Sequence, residues 1–231
     1  MSILQKREYD DRPSYRVPSD QTMATKQATK AFIDVIKNRR TIYHLSKKPV
    51  LSDQSLVQLV QTAVREAPSS FNVQSSRVVV LLGENHDDYW GNIVPQRLKE
   101  VAGDRAVQAS EGKLQGFKNG SATILFFEDS KLIKGQQEAF PRYADLFPHW
   151  SDTSSGMAQI YTWAILESEG YGCNLQHYGN ITAEVLKKKY SLPDTYDLKA
   201  EMVAGFPESP AGEKSAVPDH ERVVVHGGSS S

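Results

Sequence analysis

The segment DTSSGMAQIYTWAILESEG, residues 152–170, constrains the fold more than any other part of the chain. It predicts a helix that is apolar on most of its sides, and a helix of this kind is buried in a large core or in an interface. Apolar surface gains ~25 cal/mol per Å² when it leaves water, so a few such side chains contribute several kcal/mol by burial. The fold must therefore cover this helix on more than one side.

The rest of the chain mixes helices and strands without a regular alternation. Helical patterns are predicted from residue 26, over 52–67 with Ser52 as N-cap, over 87–116 with a break near Gly103, over 131–139 and over 181–190. Strands are predicted at 76–83, which we interpret as central, at 121–129, at 198–206 and finally at 221–227, whereas 171–179 is a loop or a short strand. This irregular order favours the α+β class, with a small mixed or antiparallel sheet flanked by helices.

Composition excludes several classes of function. The 231 residues carry a formal net charge of -1, so no basic field points to nucleic acid or to an anionic membrane. No run approaches the roughly 18 apolar residues of a membrane-spanning helix. Cys173 is the only cysteine, which excludes an internal disulfide and a thiolate zinc site, and favours a reducing compartment, the cytoplasm or the nucleus.

The two ends differ in composition from the region between them. Residues 1–25 lack the apolar core of a signal peptide and are predicted to form a flexible leader. Residues 26–226 are predicted to form one domain, and 227–231 a flexible tail. The common nucleotide, metalloprotease and serine-hydrolase motifs are absent from the sequence, and the six histidines are too scattered to predict a metal site.

Two polar segments in the first half of the chain are candidates for ligand binding. Arg39, Arg40 and Thr41 offer guanidinium and hydroxyl donors that suit a phosphate, although arginines at a helix end also complement the helix dipole. In the stretch APSSFNVQ, short polar side chains alternate with apolar ones: Ser69, Ser70, Asn72 and Gln74. These residues form either a locally bonded turn or a set of amides that pair with a planar heterocycle.

Two further candidate segments lie in the second half. In GYGCNLQHYGN, glycines allow a close backbone approach, and Gln176 and His177 present polar groups before a helix. In GFPESPAGEK, Lys214 is either a solvated side chain or a second cation for a phosphate.

Taken in this order, the segments resemble those of the FMN-dependent nitroreductases. The resemblance is carried by RRTIYHL, APSSFNVQSSRVVVLLG, ATILFFED, FPRYADLFPHWS, LQHY and AGFPESPAGEK, and it runs from residue 30 to residue 225. The words LFFED, FPHWS and LQHY are typical of the short fungal and bacterial group of this family, which includes stress-related yeast members and a copper-induced bacterial member.

The resemblance implies a fold and an activity. The expected fold is an α+β sheet wrapped by helices in an obligate homodimer, with FMN in each of two interface clefts. NADH or NADPH would deliver hydride to the flavin, and a nitroaromatic or quinone-like acceptor would then take it in a ping-pong cycle. Because the flavin carries the chemistry, no catalytic side chain and no metal are expected.

The resemblance also implies roles for individual residues. The FMN phosphate would contact Arg39, Arg40, Thr41 and Lys214, and Ala216 replaces an arginine that relatives often use. The flavin ring would meet Ser69, Ser70, Asn72 and Gln74 of the partner subunit, and Gln176 and His177 near its N5 atom. Tyr43 stands where many relatives have a lysine, and Lys113 is a candidate for the compensating charge.

The segment FPRYADLFPHW usually covers the cleft in this family. Its aromatic residues Phe140, Tyr143, Phe147 and Trp150 are therefore candidates for the acceptor-binding walls, or for ordinary packing. Two other functions fit the same residues: an FMN-binding redox sensor that turns over slowly or not at all, and an interaction module that holds no flavin.

Overall fold

The computed structural model describes residues 23–227. Along the chain its elements are α1 (Met23–Asn38), β1 (Leu45–Ser46), α2 (Asp53–Glu66), β2 (Ser76–Leu82), α3 (Gly83–Asp88), α4 (Val94–Ala102), α5 (Asp104–Lys118), β3 (Ala122–Asp129), α6 (Ser130–Ala139), α7 (Phe147–Ser168), β4 (Gly172–Gln176), α8 (Gly179–Lys189), β5 (Tyr196–Pro207) and α9 (Asp219–Arg222). A π-helical turn, Tyr89–Ile93, joins α3 to α4, and 3-10 segments at Ser70–Asn72 and Pro141–Leu146 precede β2 and α7. Between residues 23 and 227, none of the helices combines the length and the apolar character needed to cross a bilayer.

The strands form one five-stranded antiparallel sheet around β5. Strand β3 pairs with one edge of β5, and β4 and the short β1 pair with the other. Helices lie on both faces, which confirms the predicted α+β class. Strand β2 pairs with β3 alone among the described strands, so its predicted central place is wrong: its β-branched run is covered by helices but occupies the sheet edge.

The two faces of the sheet belong to separate hydrophobic cores, because side chains alternate along each strand. On β3, Leu125 and Phe127 face the core that contains Tyr89 and Trp90. Ile124 and Phe126 face the other core, which α2 and α7 cover. The candidate site segments lie where these two layers end.

Helix α7 covers residues 152–168 of the predicted apolar helix but begins earlier, at Phe147, with Pro148 in its first turn, where proline is well tolerated. Its buried face includes several polar residues: Ser151, Ser154, Ser155 and Thr162. The opposite side leaves Ile160 43% and Tyr161 42% exposed. Within the described residues, the helix is therefore buried on one side only, whereas the sequence predicted burial on more than one side.

Several boundaries follow the predicted signals. The Ser52 hydroxyl accepts a hydrogen bond from the Ser55 N–H at 3.2 Å and caps α2, as predicted. Gly103, with φ 79°, separates α4 from α5. Strand β4 resolves the choice left open for residues 171–179 in favour of a short strand.

The predicted final strand at residues 221–227 is wrong. Residues 219–222 form a short helix, and Val223 is extended, with φ -134° and ψ 117°. Val223, Val224 and Val225 are exposed, and no described strand pairs with them. Their β propensity has no effect here because a strand also needs a hydrogen-bonding neighbour.

The chain ends bear on the predicted domain boundaries. Helix α1 already begins at Met23, so the last residues of the predicted leader 1–25 are helical. Residues 1–22 of that leader, and 228–231 of the predicted tail, lie outside the described residues.

Gly205 tests how closely the backbone packs near the end of β5. A Cβ added there would lie 2.9 Å from the Ser46 carbonyl oxygen and 3.1 Å from the Cα of Gly120. Backbone atoms cannot rotate away, so we expect Gly205→Ala to lower the free energy of unfolding by about 1–3 kcal/mol, as measured by urea denaturation. The control is Gly112→Ala on α5, where the added Cβ meets nothing within 4 Å and should raise stability by about 0.5–1 kcal/mol. Equal unfolding midpoints for G205A and wild type would contradict this packing.

Candidate functional site

The segment that follows α1 is fixed against strand β4. The Ile42 N–H donates to the Cys173 carbonyl at 2.9 Å, and Thr41 forms a parallel bridge with Cys173. The Asn174 side chain donates to the Ile42 carbonyl at 2.9 Å. These bonds hold the predicted phosphate segment, Arg39–Thr41, beside the strand that leads to Gln176.

Arg39 lies over an aromatic ring. Its guanidinium carbon is 4.6 Å from the centroid of the Trp163 ring on α7. Arg39 forms no ion pair with any residue between 23 and 227. Burial raises the pKa of Glu167, and the positive charge of the nearby Arg39 opposes that rise. A cation stacked on a ring keeps the N–H groups at its edge available for an anion.

Arg40 joins this segment to the loop that carries Lys214. Its guanidinium donates to the Gly212 carbonyl at 2.7 Å. The base of the same loop is fixed by the Glu208 N–H, which donates to the His44 carbonyl at 2.9 Å. Lys214 itself is exposed, and a cleft of about 570 Å³ lies between the end of α1 and residues 207–211. The structure thus brings two of the four predicted segments together, while the Tyr43 side chain points into solvent beside them.

The end of β4 belongs to the same assembly. The Gln176 side chain donates to Asn174 Oδ1 at 2.8 Å, so a chain of amides runs from the 176–178 segment to Ile42. His177 is exposed at the tip of this segment. No role for Asn174 was predicted from the sequence, although a polar residue within the buried strand GCNLQ could have indicated one.

Glu201 is a second residue that the sequence reasoning missed. It lies fully buried on β5, opposite Gln176 in the strand register. Its carboxylate accepts hydrogen bonds from the Tyr178 N–H at 3.0 Å and from the Tyr89 hydroxyl at 3.1 Å. Burial raises its pKa to about 7, and these donors oppose part of that rise. A glutamate inside the apolar run LKAEMVAGF was the available signal.

The loop at residues 69–74 has an unusual backbone. Phe71, Asn72 and Gln74 have φ values of 55°, 51° and 51°, a region that side chains other than asparagine rarely adopt. The Ser69 hydroxyl accepts from the Gln74 N–H at 2.9 Å, and the Gln74 amide donates to Asn72 Oδ1 at 3.0 Å. Strain of this kind is concentrated at functional sites. Both amides, Asn72 and Gln74, are exposed.

Phe71 lies at the centre of an aromatic cluster, and sequence reasoning missed it. Its ring centroid is 4.8 Å from that of Phe140, 6.2 Å from Tyr143, 5.5 Å from Phe147 and 5.9 Å from Trp150. Phe71 is 51% exposed, whereas Phe147 is 1% exposed and supports the cluster from beneath instead of forming its surface. The four residues predicted as acceptor walls therefore meet at one ring.

A buried carboxylate joins the two parts of this cluster. Glu128 on β3 accepts hydrogen bonds from the hydroxyls of Ser75 and Ser76, both at 2.5 Å, and of Ser151 at 2.9 Å. The first two serines follow the 69–74 loop, and Ser151 follows Trp150 on α7. Glu128 thus holds the loop against the start of α7.

The candidate residues form two separate groups within one chain. Trp150 on α7 contacts the Phe71 cluster, and Trp163 on the same helix lies under Arg39. At 1.5 Å per residue, these two positions are about 20 Å apart along the helix axis. Among the described residues, no hydrogen bond or ring contact joins the 69–74 loop to Arg39–Thr41. Lys113 belongs to neither group. It is exposed on α5, and its neighbour Leu114 packs in one core, whereas Trp163 belongs to the core on the opposite face of the sheet.

Other reactive side chains do not add a site. The Cys173 thiol is buried, and burial raises its pKa, so it is a poor nucleophile. His86 is buried between Thr123 and the Lys118 carbonyl, and burial lowers its pKa. Between residues 23 and 227, no three His, Cys, Asp or Glu side chains are grouped as metal ligands.

Comparison with known proteins gives a consistent result. The model of the nitroreductase family matches residues 36–206. The chain is 33% identical to HBN1 of Saccharomyces cerevisiae over 194 residues, which cover 82% of this chain and 95% of that protein. Its structure is similar to that of the nitroreductase CinD from Lactococcus lactis in complex with 4-nitrophenol, with a TM-score of 0.77, 39% identity and coverage of 84% of this chain and 99% of CinD.

A yeast structure supports the same assignment. The nitroreductase from Saccharomyces cerevisiae matches with a TM-score of 0.66 and 26% identity, over 77% of this chain and 96% of that one. The predicted nitroreductase-like fold is thereby confirmed. The chain belongs to the nitroreductase family, a family of oxidoreductases.

Proposed function

We propose that this protein is an FMN-dependent oxidoreductase that takes hydride from NADH or NADPH and reduces nitroaromatic or quinone-like acceptors in a ping-pong cycle. The observation that carries the proposal is the bond from Arg40 to the Gly212 carbonyl, which ties the loop that carries Lys214 to the segment that carries Arg39 and Thr41. The solved structure of CinD holds 4-nitrophenol, and that of a distantly similar protein from Desulfovibrio desulfuricans holds FMN.

The residues present fit the phosphate end of FMN. Arg39 is a cation without an ion pair among the described residues, and Thr41 adds an exposed hydroxyl two positions later. Lys214 stands in a loop that Arg40 ties to the same segment. Forked guanidinium groups, an ammonium group and a hydroxyl are together the donor set that binds a phosphate dianion.

The remaining polar groups fit the edge of a planar heterocycle. Asn72 and Gln74 present exposed amides on a loop held in one conformation, with Ser69 and Ser70 beside them. Gln176 and His177 offer main-chain as well as side-chain donors. When bound, FMN supplies the two-electron hydride chemistry, and these residues bind and orient it.

The separation of the two groups leads us to propose a homodimer with a composite site. Each chain would supply Arg39, Thr41 and Gln176 to one FMN and the 69–74 loop to the other. Exposed apolar side chains on α1 and α7 support this assembly, because together they leave apolar surface in water: Phe32, Ile33, Ile36, Ile160 and Tyr161.

The aromatic cluster around Phe71 is the proposed acceptor-binding wall. Phe140, Tyr143 and Trp150 keep part of their rings at the surface, next to a loop that would reach the partner's flavin. Planar, electron-poor acceptors stack on such rings. The cytoplasm, with the nucleus as the alternative, stays a prediction from the sequence.

The first test is the binding and reduction of FMN. Arg39→Gln removes one charge from the phosphate cluster, and we expect it to raise the Kd for FMN about ten- to hundredfold, the value of a charged hydrogen bond. The control is Arg65→Gln, an exposed arginine on α2 that pairs with its neighbour Glu66. Flavin fluorescence quenching gives the Kd, and loss of visible absorbance on anaerobic addition of NADH or NADPH shows reduction. Protein that stays colourless after reconstitution would contradict the proposal, and flavin that stays oxidised would favour a redox sensor.

The second test asks whether two chains share one site. Arg39→Gln and Asn72→Ala chains are co-expressed with different tags, and the heterodimer is isolated. If each site combines Arg39 of one chain with Asn72 of the other, the heterodimer has one intact site, and we expect one FMN bound with wild-type affinity. A heterodimer without a tight site would show that both residues act within one chain, and a monomer in light scattering would remove the composite site.

The third test concerns the acceptor. We expect Phe71→Leu to raise the KM for 4-nitrophenol-like acceptors about two- to tenfold, because stacked rings contribute about 0.5–1.5 kcal/mol. The rate with ferricyanide, which needs no aromatic wall, should stay the same. Val101→Ala, which shortens an exposed apolar side chain on α4, is the control. Equal changes with both acceptors would exclude Phe71 from acceptor binding.

A further inference from the structure

Hydrogen bonds hold both polar groups of the Tyr178 main chain. Its N–H donates to both carboxylate oxygens of Glu201, at 3.0 and 3.2 Å. Its carbonyl accepts from the Thr182 hydroxyl at 3.0 Å. The Tyr89 hydroxyl donates to the same carboxylate at 3.1 Å, and its oxygen lies 3.1 Å from the Thr182 hydroxyl oxygen. The residue that follows Gln176 and His177 is thus fixed through both polar groups of its backbone.

Glu201 has no cation to balance it among the described residues. The π-helical turn contributes Tyr89, the segment before α8 contributes Tyr178, and α8 contributes Thr182. Its register partners on the neighbouring strands, Leu125 and Gln176, carry no charge. Burial and the nearby carboxylate raise the pKa of both tyrosines, so Tyr89 and Tyr178 stay protonated near neutral pH and only Glu201 changes charge.

The direction of this change follows from burial. The pKa of Glu201 is raised from 4.5 to about 7, so the carboxyl is neutral below that pH and ionised above it. The pKa of Glu201 in the folded protein lies above its ordinary value, so the fold is favoured while the carboxyl is neutral. This contribution to stability is lost as the pH rises from 4.5 through 7. The ionised form binds the Tyr178 N–H more strongly and adds a negative charge that no cation cancels.

We infer that Glu201 is a positioning residue that holds the 176–178 segment against the proposed FMN site, and that its ionisation slows the reduction of the cofactor. Hydride brings negative charge to the site, and a carboxylate buried behind the same segment opposes it in a medium of low dielectric constant. The effect on reduction rests on the proposed function, whereas the hold on the Tyr178 peptide does not.

The hold on the peptide is tested without cofactor. In 1H–15N NMR spectra of the full chain free of FMN, we expect the Tyr178 amide to shift with a single transition as the pH is raised through 7. In Glu201→Gln the side chain cannot ionise, so that transition should vanish. In Tyr89→Phe the ionised carboxylate loses a donor, so the transition should move to higher pH.

The effect on reduction is tested by rapid mixing of the FMN-loaded protein with NADH or NADPH. We expect the wild-type rate to fall several-fold as the pH rises through 7. The E201Q variant mimics the protonated acid, so it should keep the wild-type rate of low pH throughout. Glu184→Gln is the matched control, since this glutamate lies on α8 with its side chain 84% exposed and should leave the wild-type profile unchanged.

Each outcome decides one part of the inference. A Tyr178 amide that does not titrate in wild type overturns the hold on the peptide. A titrating amide with the same rate profile in wild type and E201Q overturns the effect on reduction and leaves Glu201 a structural residue. Failure to bind FMN overturns the proposed function and the rate effect with it, and this failure is distinguishable because the NMR titration uses no cofactor.

Discussion

Strand β5 must form hydrogen bonds along both edges while each of its faces lies in a different core. Its pairing with β3 fixes one layer, and its pairing with β4 sets the end of that strand against Glu201. The chain that leaves β5 continues directly into the loop that carries Lys214, and Arg40 reaches across to that loop. Both the proposed phosphate contacts and the 176–178 segment therefore depend on this one strand.

Two buried carboxylates organise the rest of the candidate site. Glu128 accepts three serine hydroxyls and joins the 69–74 loop to α7, whereas Glu201 accepts a main-chain N–H and a tyrosine hydroxyl. A buried carboxylate gives little net stability, because desolvation opposes its hydrogen bonds. In each case, however, it fixes the backbone of a segment that carries candidate site residues. The two glutamates thus position the site more than they stabilise the fold.

Local signals explain which parts of the fold could be predicted. Ser52 and Gly103 act through their own side chain or backbone, and each marks the boundary that the sequence indicated. Edge placement depends on pairing, so the run SRVVVLL looks the same whether its strand is central or, as here, at the edge. The valines at 223–225 fail for the same reason, because propensity supplies no neighbouring strand.

The candidate site was predictable where several residues act as a motif and not where one residue acts alone. Arg40 bonds to the loop that carries Lys214, and the four predicted aromatic residues meet as one cluster around Phe71. Phe71 was missed because its role depends on a left-handed backbone that no sequence pattern specifies. Asn174 and Glu201 were missed because a single polar residue in a strand does not reveal its bonding partner.

The open edge of β2 has a consequence for handling the protein. Within residues 23–227, no strand pairs with the outer edge of β2, a run of valines and leucines in which Arg77 is the only charge. Such edges recruit further strands and start aggregation when chains are concentrated. The yield of native protein after removal of denaturant should therefore fall as the protein concentration rises, so refolding at low concentration will give more native protein.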